Sequence, residues 1–77
     1  MNKQRRKQIQ EIVNKLEELK DQLETIKDEE AEYRDNMPEN LQGSERYEKA
    51  EAAADGLESA FDSLQEVIDG LQEVIDA

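Results

Sequence analysis

The 77-residue chain contains no cysteine, no histidine and no tryptophan, and a single proline. Without cysteine, neither a disulfide nor a thiolate metal site can reinforce a chain close to the lower size limit for one core. Lack of histidine removes the commonest metal ligand and the usual general base. Three aromatics, Tyr33, Tyr47 and Phe61, are too few to build a stacking platform for single-stranded nucleic acid. The three glycines stand at positions 43, 56 and 70, so no glycine-rich loop exists to cradle a phosphate. No apolar run approaches the ~20 residues of a membrane span. The opening "MNKQRRKQIQ" is basic but has no apolar stretch behind it, unlike a secretory signal. These absences lead us to expect a soluble cytoplasmic protein with no membrane partner and no cofactor.

Charge is what the chain has in excess. Ten basic and 21 acidic side chains give a formal net charge of −11. Residues 1–27 carry seven basic and five acidic groups, residues 28–49 three and eight, and residues 50–77 none and eight. A composition this polar suits disorder only where periodic apolar residues are missing, and here they run the length of the chain.

From Ile9 the apolar residues step by three and four: Ile9, Ile12, Leu16, Leu19, Leu23, Ile26, then Glu30, Tyr33 and Met37. With Ile9 as position a, this is an unbroken a/d heptad in which Glu30 is the one charge at a core position. Val13 adds an apolar residue at e, and Glu30 is expected in a wet layer near the turn. The spacing predicts a first helix over about residues 3–35. The segment "DNMPENLQGS" then interrupts the pattern: Pro38 disfavours helix at Met37, and Gly43 with Ser44 supplies a joint and an N-cap. Asn36 is a candidate cap for a short turn through Leu41, with Glu39 placed as in a capping box. Met37 and Leu41 are expected to close the core against Tyr33 and Tyr47.

A second helix is predicted over about residues 45–76, with a/d residues Tyr47, Ala50, Ala54, Leu57, Phe61, Leu64, Ile68, Leu71 and Ile75. Written in sevens from residue 50, it reads AEAAADG, LESAFDS, LQEVIDG, LQEVIDA. Ala53, Ala60, Val67 and Val74 occupy g, Asp55, Asp62, Asp69 and Asp76 occupy b, and Gly56, Ser63, Gly70 and Ala77 occupy c. An apolar a, d and g face is wider than a two-stranded seam requires. The expected fold is therefore all-α: one antiparallel coiled-coil hairpin, residues 1–77, that dimerises into a four-helix bundle. A larger protein partner would cover the same g row. Leu57, Phe61, Leu64, Val67, Ile68, Leu71, Val74 and Ile75 are the expected core or dimer residues. The basic start of helix 1 and acidic end of helix 2 each oppose their own macrodipole, and antiparallel pairing sets them beside each other.

No reaction chemistry emerges. The Asp row repeats every ~10.5 Å along one helix face, whereas paired catalytic carboxylates must converge. A hard cation needs six or more converging oxygens, and Asp28, Glu29, Glu30 and Glu32 fan around a helix. No enzyme activity, metal or cofactor is expected. A −11 chain repels phosphate, so direct nucleic-acid binding is disfavoured. Two acidic helices side by side would approach duplex charge density, about one charge per 2.6 Å against ~1.7 Å, which permits a decoy. Tyr33, Tyr47 and Phe61 all fall on a/d positions and read as core. Asn36, Glu39, Asn40 and Gln42 form a polar loop surface of the kind that binds partners.

Residues 28–53, "DEEAEYRDNMPENLQGSERYEKAEAA", with the acidic heptads that follow, resemble small helical-hairpin proteins of unknown function from phages and gut-type Gram-positive bacteria. The likeness covers about the last fifty residues and is densest in "NMPENLQGSERYE". It implies a mobile-element accessory protein that binds and inhibits a host protein. Alongside that expectation stand the nucleic-acid-mimicking decoy and a bare structural spacer with no dedicated partner. The contact surfaces to test are the loop residues and Asp55, Asp62, Asp69 and Asp76.

Overall fold

A computed structural model describes residues 1–77 as two long helices folded back on each other: α1, Lys3–Asp35, and α2, Glu45–Asp76, joined by a segment with one 3-10 turn, Glu39–Leu41. Both helices begin where a side chain satisfies an orphan backbone donor. Asn2 Oδ1 accepts from the Arg5 N–H at 2.8 Å, and Ser44 Oγ accepts from the Tyr47 N–H at 3.2 Å. Asn36 does not cap the turn that follows it. Its own N–H donates to the Glu32 carbonyl at 2.9 Å and so ends α1, while the 3-10 turn starts at Pro38 without a side-chain cap. Pro38 accounts for the difference, because it pushes Met37 out of helical geometry before Asn36 can serve a new helix. The connection is compact: Leu41, Gln42 and Ser44 donate backbone bonds to Pro38, Glu39 and Leu41 at 2.8, 3.2 and 3.0 Å. Gly43, at φ 90, makes the reversal that leads into α2.

The seam between the helices is narrow. Only Val13, Met37, Ala50, Ala54 and Ile68 are buried, five of 77 residues. On α2 the seam follows the a/d pattern, with Tyr47, Leu57, Phe61, Leu64, Leu71 and Ile75 half-buried beside Ala50, Ala54 and Ile68. On α1 it does not. Half-buried Ile9, Leu16 and Leu23 at a are joined by the e row, Val13, Lys20, Lys27 and Arg34. The d row is turned out to solvent: Ile12, Leu19 and Ile26 are 50–53% exposed and Tyr33 43%. Helix α1 is thus rotated about 50° from the expected a/d orientation. The lysines show why the rotation is tolerated. Their aliphatic stems lie along the seam while the ammonium groups reach the Phe61 ring, 5.4 Å from its centroid for Lys20 and 5.1 Å for Lys27. Tyr33 is consequently not the core residue its heptad position suggested, while Met37 is buried and Leu41 half-buried at the turn, as expected.

No ion pair joins the two helices. Lys27–Asp28, Arg34–Asp35 and Lys49–Glu45, at 3.3, 2.9 and 3.2 Å, all lie within one helix. Where the basic and acidic ends were expected to pair, Arg6 Nη2 instead donates to the Ala77 carbonyl at 2.9 Å, a cation on the negative pole of α2. The whole is a rod of 59 × 15 × 13 Å.

Candidate interaction surface

Three cross-helix contacts fix the register. Arg6 is level with Ala77, Lys20 donates to the side-chain oxygen of Gln65, and Arg46 Nε donates to the Tyr33 hydroxyl at 2.9 Å. These contacts also show that the two long edges of the hairpin differ. One edge joins the e rows: Lys20 meets Gln65, both partly buried, and Lys20 and Lys27 cover Phe61. That edge is sealed.

The other edge joins the d row of α1 to the g row of α2. Its one bridge is at the turn end, where Arg46 binds the Tyr33 hydroxyl and lies 5.9 Å over the Tyr33 ring. Beyond that bridge the register sets Ile26 level with Ala53 and Ala60, Leu19 with Ala60 and Val67, and Ile12 with Val67 and Val74. Val67 and Val74 are 52% and 41% exposed. Their exposure is what a lone hairpin was expected to leave unsatisfied. The d row of α1, which was assigned to the core, lies beside them. Together they make one apolar strip along the rod, bulky throughout on α1 and, on α2, bulky toward the chain end and small toward the turn.

The sequence carried a signal for this strip that the heptad reading passed over. Apart from Val13, every e position of α1 is a long-stemmed cation, Lys20, Lys27 and Arg34, suited to lie flat along a seam with its head outside. Counting those stems as apolar would have turned α1 by one position and exposed the d row. Arg34 is held charged by Asp35, whose hydrogen bond at 2.9 Å and negative charge raise the guanidinium pKa above its ordinary value.

The remaining candidate residues are solvent-facing. Asp55, Asp62, Asp69 and Asp76 are all exposed. Asp69 and Asp76 accept from Gln65 and Gln72 one turn earlier, at 2.9 and 3.3 Å, and none of the four is ion-paired. They lie on the far side of α2 from Val67 and Val74. Asn36, Glu39, Asn40 and Gln42 are exposed around the turn. Of these, Asn36 borders a cleft of about 180 Å³ formed with Tyr33, Met37, Pro38, Leu41 and Arg46. The larger hollow near the chain start, lined by Lys3, Gln4, Lys7, Gln8 and Glu11, is the outer surface of a single helix with no apolar wall. No three carboxylates converge closely enough to hold a metal ion, and no helix is long and apolar enough to cross a membrane.

Fold and surface together define a class, the two-helix antiparallel hairpin with one sealed and one open edge. Comparison with family models, with curated proteins and with solved structures gives no match to this chain.

Proposed function

We propose that this chain is a small acidic protein-binding module without catalytic activity, and that it binds through the open d/g edge. The observation that carries this reading is the asymmetry of the hairpin. One edge is closed by Lys20, Lys27, Gln65 and Phe61, while the other leaves Ile12, Leu19, Ile26, Val67 and Val74 in water. A continuous apolar strip edged by polar and small residues is a common mark of a protein interface. The homodimer expected from the heptads uses this edge. In the setting implied by the resemblance, the module serves as an accessory protein that occupies and blocks a host protein. Leu19→Glu places a charge in the middle of the strip without touching the buried seam. Affinity capture from bacterial lysate with wild-type and Leu19→Glu chains, alongside light scattering, tests the reading. We expect the wild type to hold a protein, its own copy or another, and the variant to hold neither. A wild-type chain that stays monomeric and captures nothing contradicts it.

A second reading, the nucleic-acid-mimicking decoy, is favoured by the unpaired Asp55, Asp62, Asp69 and Asp76 along the opposite side of α2. It requires binding to a nuclease or defence enzyme that falls steeply with salt and is lost on reversing those four charges. Binding that survives the reversal contradicts it.

A further inference from the structure

We infer that the occupant of the open edge is a second copy of this chain, packed with its turn at the opposite end of the bundle. The inference rests on the protein-binding reading above and deepens it by naming the partner and its orientation.

The need for a partner can be sized. Folded monomers of 8.9 kDa expose about 4,800 Å² by the mass scaling, and this hairpin exposes 5769 Å². The excess, roughly 950 Å², is close to the ~800 Å² that each partner buries in a standard interface.

The identity and direction of the partner follow from symmetry in the sequence. Two hairpins can stack edge-strip to edge-strip in two ways. With turns at the same end, α1 lies on the partner's α2. With turns at opposite ends, α1 lies on the partner's α1 and α2 on the partner's α2. Only the second arrangement makes the rows complementary to themselves. On α1, the row next outward from the strip is Gln8, Lys15, Gln22, Glu29, Asn36. Reversed about Gln22, it sets Lys15 against the partner's Glu29 and Gln8 against the partner's Asn36. Lys15 and Glu29 are exposed and neither has an ion partner within the hairpin.

On α2, the strip residues reverse about the point between Ser63 and Leu64, so Val67 and Val74 meet the partner's Ala60 and Ala53. On α2 bulk is thus matched to hollow, whereas turns at the same end would stack Val67 and Val74 on the bulky α1 row of the partner. The next row outward reverses about Ser63, half a residue away, and sets Gly56 against the partner's Gly70. An added Cβ at either glycine would meet nothing within 4 Å in the hairpin, so packing inside one chain does not explain them. Close approach of a second α2 backbone does. By the observed register, Gln22 and Ser63 lie about 4 Å apart in level along the rod, so one two-fold axis passes near both. Long-range charge points the same way. At the chain end the four basic groups of residues 1–9 stand beside Asp69, Glu73 and Asp76 and nearly cancel them, whereas residues 28–49 hold eight acidic and three basic groups. Opposed turns set each acidic turn segment against a nearly neutral end, and turns at one end would crowd the two acidic segments.

Pulsed electron spin resonance on chains spin-labelled through Glu48→Cys tests the inference, since the chain has no other thiol and Glu48 is exposed on the far side of α2. Opposed turns place two labels about 45 Å apart along the rod; turns at one end leave them level, within ~25 Å. A long distance supports the inference and a short one overturns the orientation. Lys15→Glu is expected to weaken association about tenfold, and adding Glu29→Lys to restore it, the pair being formed twice; a double variant no tighter than the single contradicts the pairing. A monomer with no coupling between labels overturns the second copy as occupant. If that monomer still captures another protein and Leu19→Glu abolishes the capture, the protein-binding reading stands and the inference alone has failed.

Discussion

At the scale of single residues, the glycines and Ser44 separate three physical situations. Gly43 sits at φ 90, where a side chain costs about 1–2 kcal/mol. Gly43→Ala is therefore expected to lower the midpoint of urea unfolding. Gly56 and Gly70 lie mid-helix with open space around them, and each costs about 1 kcal/mol relative to alanine in a helix interior. Replacing either by alanine is expected to raise the helicity and thermal midpoint of dilute, monomeric chains, as read by circular dichroism. The same variant should associate more weakly, because the added methyl enters the contact between backbones. Ser44 is the third kind, a residue whose side chain serves one backbone donor. Ser44→Ala removes the bond to the Tyr47 N–H and should cost about 1 kcal/mol in denaturant titration.

At the scale of the elements, most of the fold was legible in the sequence, because step, break and restart of the heptads mark two helices and one turn. Their bounds follow from local chemistry, Asn2 and Ser44 as caps and Pro38 with Gly43 as the break. What the heptads did not specify was rotation. A two-helix seam of small residues such as Ala50 and Ala54 does not impose a unique face on α1, and long cationic stems compete with leucines for it. Lys20 and Lys27 prevailed over Leu19 and Ile26 by covering Phe61. Removing that cover should reverse the choice. In Phe61→Ala the lysines lose the ring they overlie, and hydrogen exchange is expected to quicken in the middle of both helices. The core loss is about 3–5 kcal/mol for a fully buried phenylalanine, and less here because Phe61 is only half-buried. Unchanged exchange there would show that the e-row edge is not what holds α1 in its rotation.

At the scale of the whole molecule, the candidate site was only half legible. The g row of α2 could be read as unsatisfied from its valines, but its companion row on α1 was hidden among residues assigned to the core. The apolar strip exists because α1 is rotated, so it belongs to the packing of two helices rather than to a motif in either. With five buried residues, two of them alanine, the hairpin has little core of its own, and the proposed association would supply what a single chain of this size lacks. Stability and association should therefore be linked, with the thermal midpoint rising as the chain is concentrated. Sedimentation equilibrium on the wild type and on Leu19→Glu at matched concentrations tests this most directly. The wild type should sediment at twice the 8.9 kDa chain mass and Leu19→Glu at the chain mass, with helicity retained. A wild-type chain that sediments at 8.9 kDa throughout, or a dimer indifferent to Leu19→Glu, would contradict the account.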